Sequence, residues 1–383
     1  MVLGSTGSIG RQALEVAARH PERLQVVGLA AQTKGAALRE QAAQWGVPQV
    51  ALAEAEAAAR LAAETDLRVH SGPQGLGELV RELRPDLVVA ALSGGAGLAS
   101  LLAALEVGAD VALANKEPLV TAGHLVTEAA RRAGAELLPV DSELSAIWQC
   151  LRGEERGTVE KVLLTASGGP FRDWEPADLA SVTPAQALAH PTWKMGPKVT
   201  VDSATLMNKG FELFEVRWLF GVPFERIEVL LHPQSVMHSA VAFVDGSCLA
   251  QLGPPDMRTP IQFALSYPER WPSDLPRLDL PARGQLDFAM PPTGKFPCLR
   301  LARQAGQSGA SYPAVLSAAD EVAVEAFLAG RLSFPGIAAV LEQVLEDHEP
   351  FAVGSLAEVE RAEHWAREYA GELIRKRPKA GIG

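Results

Sequence analysis

The chain has 383 residues, more than one hydrophobic core usually supports, so we expect two or three domains. A formal net charge of −11 and an isoelectric point near 5.3 argue against a nucleic-acid-binding protein, because contact with phosphates needs a basic surface. The three cysteines, an odd number without metal-ligand spacing, argue against a disulfide framework and favour a cytoplasmic location. No apolar run approaches the ~20 residues that span a bilayer, and a glycine loop that begins at Gly4 leaves no room for a signal peptide.

The N-terminal part of the chain alternates short apolar runs with helical stretches. Residues 24–30 and 86–92 are predicted to be buried parallel strands, and the alanine-rich stretch 35–63 is predicted to be helical. This alternation is typical of a doubly wound, Rossmann-like sheet. Only residues 1–3 precede the first glycine, whereas a strand usually has about five or six residues. We therefore expect the first strand to lack several residues at its N-terminus.

The rest of the chain mixes strands with helices and then becomes helical. Strands are predicted at 159–165, 227–231 and 240–243, and C-terminal helices at 298–305, 312–329, 334–346 and 355–375. Prolines cluster from residue 268 to residue 297 without periodicity, which indicates an extended linker. We predict an α/β protein with a Rossmann-like domain at 1–138, a central α+β domain at 139–275, a proline-rich linker at 276–297 and a C-terminal helical bundle at 298–383.

A glycine-rich loop at residues 4–10, with the spacing G-x-x-G-x-x-G, precedes the first predicted helix. Glycines allow close approach to a pyrophosphate, and a helix N-terminus supplies unpaired N–H groups; an ordinary tight turn is the alternative. Where an NAD site usually has a carboxylate, this chain has Ala31-Gln32-Thr33-Lys34, and Lys34 suits the 2′-phosphate of NADP. NADP is therefore favoured over NAD. A second glycine loop, 93–97, faces the same edge and is either structural or in contact with a ligand.

Three carboxylates occur in two segments that each contain Val-Asp-Ser. Asp141 and Glu143 are two residues apart in a segment predicted to be extended, which would direct both side chains to one side. Glu212 lies one helical turn beyond Asn208 and Lys209. Three carboxylates without a nearby histidine or cysteine favour Mg²⁺ or Mn²⁺ over zinc. The alternative is helix capping by Asp141 and a surface position for Glu212.

Polar residues near these carboxylates suggest a phosphate site. Residues 167–169, Ser-Gly-Gly, follow a predicted strand and offer a hydroxyl with free N–H groups, and Ser203, Asn208 and Lys209 would complete the shell. Asn208 and Asn115 are the only asparagines in the chain, and each is followed by a lysine. A chain that has lost a thermolabile amide elsewhere keeps it where replacement harms function. A genome biased against asparagine and lysine is the alternative.

The segment 190–197 has the composition of a lid over a ligand. It places Trp193 and Met195 in a loop bounded by proline and glycine, where a solvent-facing loop would normally be polar. His190, taken by itself, would be structural.

These segments together resemble the 1-deoxy-D-xylulose 5-phosphate reductoisomerases, NADPH enzymes of the non-mevalonate isoprenoid pathway. The matching motifs are specific and extend over nearly the whole chain: 4–10, 114–117, 139–143, 167–171, 190–196, 201–212, 232–236 and 251–260. The resemblance implies that 1-deoxy-D-xylulose 5-phosphate is isomerised by carbon–carbon cleavage and rejoining. The aldehyde is then reduced by NADPH to 2-C-methyl-D-erythritol 4-phosphate. The resemblance also implies a homodimer whose central domain holds the metal and the substrate.

The resemblance assigns three sets of residues. The metal, Mg²⁺ or Mn²⁺, would be held by Asp141, Glu143 and Glu212, which with Lys116 form the catalytic set. Substrate contacts would come from Lys116, Ser142, Glu143, Ser167, His190, Ser203, Asn208, Lys209 and Glu212. NADPH contacts would come from Thr6, Gly7, Ser8, Ile9, Asn115, Glu117 and Gly196, and the position of Gln32 and Lys34 adds these two at the adenosine end.

The chain departs from the family pattern at three places. Family members commonly have Glu-His-Asn-Ala where this chain has Glu143-Leu144-Ser145-Ala146, so a histidine beside the metal has no part in its chemistry. The usual A-G-x-N is replaced by the 31–34 segment, which leaves the contacts to the 2′-phosphate open. Ser317 and Asp320 occupy positions where asparagines are usual.

Two other functions compete with this interpretation. An NADP-dependent semialdehyde dehydrogenase would need a catalytic cysteine, and Cys150, Cys248 and Cys298 are not in such a setting. An NADP-sensing regulator without turnover would have no use for three converging carboxylates.

Overall fold

The computed structural model describes residues 1–92, 96–193 and 195–376. Lys194 of the predicted lid and residues 93–95 of the second glycine loop lie outside the described residues. The chain forms two compact units. The first comprises Met1–Pro118, His124–Ser145 and Asp256–Leu275, and the second comprises Leu119–Gly123, Ala146–Pro255 and Pro276–Gly383.

A seven-stranded parallel sheet forms the centre of the first unit. Its strands are β1 (Val2–Leu3), β2 (Leu29–Ala31), β3 (Gln49–Leu52), β4 (Arg68–Ser71), β5 (Leu87–Ala90), β6 (Asp110–Leu113) and β7 (Leu137–Pro139). They pair in the order β4-β3-β2-β1-β5-β6-β7. The order changes direction between β1 and β5, and ligands of such sheets bind beyond the carboxyl ends of the strands at this switch point.

Helices connect these strands and cover the sheet. They are α1 (Ser8–Arg19), α2 (Gly35–Trp45), α3 (Ala55–Glu64), α4 (Gly72–Leu83), α5 (Ala96–Glu106) and α6 (Glu117–Ala133), joined by α11 (Arg258–Ser266) from later in the chain. The strand residues Leu29, Val50 and Val88 are fully buried, as expected for a parallel sheet covered on both faces. The predicted doubly wound sheet is therefore confirmed.

Two predicted boundaries in this unit are wrong. The predicted strand 24–30 begins only at Leu29, and the stretch 35–63 is not wholly helical, because β3 divides it. Gly46 ends α2 in the left-handed conformation with a φ of 64°, and Pro48 then disfavours further helix. The alanine content of the flanking helices concealed this short strand.

A four-stranded sheet and a set of helices form the second unit. The strands β8 (Val159–Ala166), β9 (Ile227–Leu231), β10 (Met237–Phe243) and β11 (Cys248–Leu252) pair in the order β11-β10-β8-β9. The helices are the part of α7 (Ser142–Cys150) that follows Ser145, α8 (Pro184–Ala187), α9 (Pro197–Thr205), α10 (Met207–Phe220), α12 (Leu280–Arg283), α13 (Pro297–Ser308), α14 (Tyr312–Leu328), α15 (Phe334–Glu346) and α16 (Leu356–Lys376). Short 3-10 turns cover Arg156–Thr158, Pro176–Ser181 and Phe224–Arg226. The four predicted C-terminal helices are confirmed, and no end differs from its predicted position by more than three residues.

A single residue separates α9 from α10. Leu206 adopts the left-handed region with a φ of 62°, an uncommon conformation for a leucine. The chain therefore changes direction between Ser203 on α9 and Asn208 on α10. Along the described chain, every helix is too short or too polar to cross a membrane.

Candidate active site

The glycine loop after β1 has no room for side chains at its first and last glycines. Gly4 has a φ of 88°, and a Cβ atom there would lie 2.2 Å from the carbonyl oxygen of Ala91. A Cβ atom on Gly10 would lie 2.3 Å from the carbonyl oxygen of Gly4. These two glycines therefore allow the loop to fold back against its own backbone and against the end of β5.

Helix α1 begins at Ser8, inside this glycine segment, with its N–H groups available to an anion. Gly7 occupies the N-cap position, and no side chain of the described residues caps the helix there. Thr6 is buried, whereas Gly7 and Ser8 are exposed and Ile9 is half-buried. An uncapped N-terminus with an exposed glycine is suited to a pyrophosphate.

Asn115, which follows β6, has a buried side-chain amide. The residue is buried, and neither its Oδ1 nor its Nδ2 atom has a hydrogen-bond partner among the described residues. A Cβ atom on Gly97 would lie 2.6 Å from that Nδ2 atom. A buried amide left unpaired calls for an explanation, and a polar ligand at this sheet edge supplies one. The residues fit a dinucleotide.

Three of the other residues predicted to contact the cofactor follow strands of the parallel sheet, and the fourth belongs to the second unit. Gln32 and Lys34 are exposed and directly follow β2. Glu117 is half-buried in the first turn of α6. Gly196 belongs to the second unit, where it is the N-cap residue of α9.

Lys116 and Asp141 form an ion pair at the ends of two neighbouring strands. Lys116 follows β6 and Asp141 follows β7, and the ammonium Nζ donates to the Asp141 carboxylate. Their side chains are 11% and 19% exposed, so bulk water screens the pair only in part.

The predicted extended conformation of residues 141–143 is wrong. Helix α7 begins at Ser142, and the N–H of Ser145 donates to the carbonyl oxygen of Asp141 at 2.8 Å. Glu143 therefore lies in the first helical turn, where a carboxylate interacts favourably with the helix dipole. Its Oε2 atom accepts a hydrogen bond from the Ser142 hydroxyl at 2.6 Å. Leu144, at the position where the family usually has histidine, is fully buried.

In the second unit, Asn208, Lys209 and Glu212 share one face of α10, as predicted. Glu212 is fully buried and Lys209 is 5% exposed. The Lys209 ammonium donates to both carboxylate oxygens of Glu212, at 2.9 and 2.7 Å. The Asn208 amide nitrogen donates to the same carboxylate at 2.6 Å, while its Oδ1 atom has no hydrogen-bond partner within the described chain.

His190 is held by hydrogen bonds to both ring nitrogens. Its Nδ1 atom accepts from the backbone N–H groups of Thr192 and Trp193, so the proton resides on Nε2. Nε2 lies 3.0 Å from the Ser167 hydroxyl. Burial, and then the positive charges of Lys209 and Arg172, lower the pKa of His190 from 6.5 to about 4.

Arg172 was not among the site residues predicted from the sequence. Its guanidinium donates to the Ser167 carbonyl oxygen at 3.2 Å, and its charge acts on His190. Arg172 lies five positions after Ser167, and a loop without periodicity gives no sign that the chain returns on itself there.

The loop after β8 packs against α9 at Ser203. Gly168 and Gly169 have φ values of 86° and 68°, and a Cβ atom on Gly169 would lie 2.8 Å from the Ser203 carbonyl oxygen. The structure therefore brings Ser167 and Ser203 into one region of the second unit, with the Lys209 charge acting on His190 beside them.

Trp193 of the predicted lid lies against His238, with ring centroids 6.3 Å apart. Trp193 and Met195 are half-buried. Helix α9 starts two residues after Met195, and its first carbonyl, that of Gly196, accepts from the N–H and the hydroxyl of Thr200. Whether this segment moves stays a prediction.

The three cysteines do not form a nucleophilic site. Each is a free thiol. Burial, assisted by Cys248, raises the pKa of Cys150 to about 11, and burial raises the pKa of Cys298 well above its usual range. Cys248 is exposed on β11. A thiol that stays protonated is a poor nucleophile, which argues against a semialdehyde dehydrogenase.

Comparison with known proteins identifies the family. Residues 1–123 match the family model for 1-deoxy-D-xylulose 5-phosphate reductoisomerase, and residues 137–220 and 252–369 match models for C-terminal domains of that enzyme. A reductoisomerase of Moorella thermoacetica is 53% identical over 376 residues, 97% of each chain. The chain belongs to the 1-deoxy-D-xylulose 5-phosphate reductoisomerase family. A second relative, from Thermomicrobium roseum, is 51% identical over 97% of each chain.

Solved structures of the reductoisomerase family share the fold. The enzyme of Zymomonas mobilis in complex with NADPH is 42% identical, with a TM-score of 0.91 over 98% of each chain. A reductoisomerase in complex with NADPH, fosmidomycin and magnesium is 39% identical, with a TM-score of 0.93 over 98% of this chain and 97% of the other. The predicted family and α/β fold class are therefore confirmed.

Proposed function

We propose that the protein catalyses the NADPH-dependent conversion of 1-deoxy-D-xylulose 5-phosphate to 2-C-methyl-D-erythritol 4-phosphate, a step of non-mevalonate isoprenoid biosynthesis. The observation that carries the proposal is Glu212, a fully buried carboxylate with an ammonium and an amide on it, in a chain that matches the family over nearly its whole length. A buried carboxylate is stable only with a cationic partner, and Lys209 supplies one to Glu212.

The carboxylates of Asp141, Glu143 and Glu212 are proposed to hold Mg²⁺ or Mn²⁺. Oxygen ligands without sulfur or imidazole suit these hard cations, and a related structure contains magnesium. When bound, the cation would supply Lewis acidity toward the substrate's oxygens, and NADPH would supply a hydride. Lys116, paired with Asp141, adds positive charge at the same oxygens.

The substrate phosphate is proposed to lie among Ser167, Ser203, Asn208 and Lys209. Support comes from the loop that brings Ser167 against α9 and from the Asn208 Oδ1 atom, which has no hydrogen-bond partner among the residues that the structure describes. Neutral His190 keeps its proton on Nε2, from which it donates to a substrate hydroxyl or to Ser167. The Ser142 hydroxyl is a further proposed substrate contact, and Trp193 is proposed to cover the substrate and to exclude water from the reacting carbons.

NADPH is proposed to bind at the carboxyl edge of the parallel sheet. The proposed contacts are Thr6, Gly7, Ser8, Ile9, Gln32, Lys34, Asn115, Glu117 and Gly196. The uncapped start of α1 suits the pyrophosphate, and the unpaired amide of Asn115 suits the ribose or the nicotinamide. Exposed Lys34 suits the 2′-phosphate.

The protein is further proposed to act as a homodimer in the cytoplasm. Strand β11 is an edge of the four-stranded sheet, and Leu249 on it is 44% exposed. Apolar edge strands pair readily with another chain. Three free thiols suit a reducing compartment.

The proposed activity is tested by following NADPH oxidation with 1-deoxy-D-xylulose 5-phosphate, before and after EDTA, and after Mg²⁺ or Mn²⁺ is added back. We expect turnover that disappears with EDTA and returns with metal. Glu212→Gln should lower kcat by orders of magnitude and leave NADPH affinity near that of the wild type. Activity that resists chelation would refute the metal site, and the absence of turnover with metal would refute the reaction.

A further inference from the structure

A largely buried charge cluster lies at the first turn of α9, the helix that also carries Ser203 of the proposed phosphate site. Lys198 on this turn reaches two carboxylates: Asp202 on the same helix, at 2.7 Å, and Asp320 on α14, at 3.0 Å. Asp202 is 2% exposed and Asp320 is fully buried. Buried carboxylates are stable only with charged or hydrogen-bonded partners, so this ammonium is part of what keeps both in the interior.

The same ammonium also contacts α10. Lys198 Nζ lies 4.4 Å from the centre of the Phe211 ring, and Phe211 directly precedes Glu212. A cation over a buried aromatic face is attracted to it. One nitrogen atom therefore joins α9, α10 and α14.

Helix α9 connects this cluster to the site. It starts at Pro197, the last residue of the predicted lid, and Ser203 lies near its end, where Gly169 approaches the Ser203 carbonyl oxygen without room for a side chain. A rotation or shift of α9 would displace Ser203 relative to both the Ser167 loop and Asn208. A rigid element with a fixed orientation is what keeps binding groups in place.

We propose that Lys198 is a positioning residue for substrate phosphate: it fixes α9 to α10 and α14 and thereby sets the affinity for the phosphosugar without touching it. The inference rests on the proposed function, because it takes the phosphate site to lie at Ser203 and its neighbours. It predicts an effect on substrate KM that is separate from NADPH binding and from overall stability.

The decisive variant is Lys198→Met, which keeps the length of the side chain and removes its charge. We expect the KM for the phosphosugar to rise about tenfold or more. A displaced α9 would cost the phosphate roughly one charge-assisted hydrogen bond, such as the one from Ser203. NADPH affinity should stay within about twofold, and Lys198→Arg should restore most of the substrate KM because it keeps the charge. Should Lys198→Met not fold, Asp320→Asn keeps the shape and removes one charge, and a smaller rise of about threefold is expected.

Arg367→Met is the matched control. Arg367 on α16 pairs at 2.8 Å with Glu321, the neighbour of Asp320 on α14, and its loss should lower Tm without changing substrate KM. Equal rises in KM for this control and for Lys198→Met would overturn the proposal, as would an unchanged KM in Lys198→Met or a failure of Lys198→Arg to rescue. Calorimetric titration with fosmidomycin gives the same comparison if the wild type shows no turnover, so failure of the proposed reaction is distinguished from failure of the positioning role.

Discussion

At the scale of single residues, lysines accompany the carboxylates that are proposed to bind metal. Lys209 donates to both oxygens of Glu212, and Lys116 donates to Asp141. Each ammonium compensates a carboxylate that water reaches little or not at all, and each is proposed to contact the substrate as well. The same ammonium groups therefore stabilise carboxylates around the site and are proposed to contact the anionic sugar phosphate as well.

Lys209→Ala should weaken substrate binding more than it slows the chemical steps. The change removes a charge-assisted contact with phosphate, worth about 1.5–3 kcal/mol, so KM for the phosphosugar should rise roughly ten- to a hundredfold at saturating metal. Steady-state kinetics measure this. Lys161→Ala is a fitting control, since it removes a lysine that pairs with Glu228 at 2.7 Å on the strand surface and should leave KM unchanged. An unaltered KM in Lys209→Ala would show that the phosphate binds to other residues.

His190 should make the protein less stable in acid. Its pKa is lowered to about 4, mainly by burial and then by Lys209 and Arg172, while the unfolded chain takes up this proton near pH 6.5. Between these values the unfolded state binds more protons, so the stability that depends on neutral His190 is complete above pH 6.5 and is lost as the pH falls toward 4. Thermal unfolding from pH 7 to pH 4.5 should therefore show a smaller fall in Tm for His190→Gln than for the wild type. His364→Gln, on an exposed face of α16, should follow the wild-type curve; a His190→Gln curve parallel to wild type would contradict the assignment.

At the scale of elements, the site divides into parts that periodicity reveals and parts that it does not. The face of α10 with Asn208, Lys209 and Glu212 follows directly from helical spacing. Glu143 does not, because a strand ends and a helix begins within residues 139–142, and two residues of spacing are compatible with either structure. The left-handed Leu206 between α9 and α10 was equally invisible, since leucine gives no sequence signal for that conformation.

The predicted lid is tested through its tryptophan. Trp193 lies against His238 and is only half-buried, so closure over substrate should change its surroundings. We expect Trp193 fluorescence to change on addition of substrate or a phosphonate analogue. The change should be lost in Trp193→Phe and kept in Trp365→Phe, whose ring stacks on Tyr369 in the helical bundle. Trp193→Ala should raise substrate KM and lower kcat together, because closure excludes water. Wild-type kinetics for Trp193→Ala would reduce the segment to a surface connection.

At the scale of the whole molecule, local sequence patterns predicted the type of each structural element, but they did not predict the contacts between residues far apart in the chain. Alternating apolar runs indicated a doubly wound sheet, and amphipathic helices indicated the C-terminal bundle. The ion pair between Lys198 and Asp320 joins residues far apart in the chain, and no spacing rule relates them. The same holds for Lys295, which donates from the proline-rich segment to the carbonyl oxygen of Arg172 at 3.0 Å. The division at residues 138, 275 and 297 stays a prediction.

We expect the oligomeric state to depend on the β11 edge of the four-stranded sheet. Strand β11 pairs on one side with β10 and leaves its other backbone edge unpaired within the described chain, with Leu249 44% and nearby Val244 67% exposed. A second copy that covers this edge would satisfy its hydrogen-bonding groups and bury these side chains, whereas a charge there would oppose such pairing. Leu249→Lys should therefore shift the protein from dimer to monomer in light scattering coupled to size-exclusion chromatography. Leu280→Lys, at a position 53% exposed on α12, should leave the dimer intact. A dimer that persists in Leu249→Lys would place the subunit contact on another face.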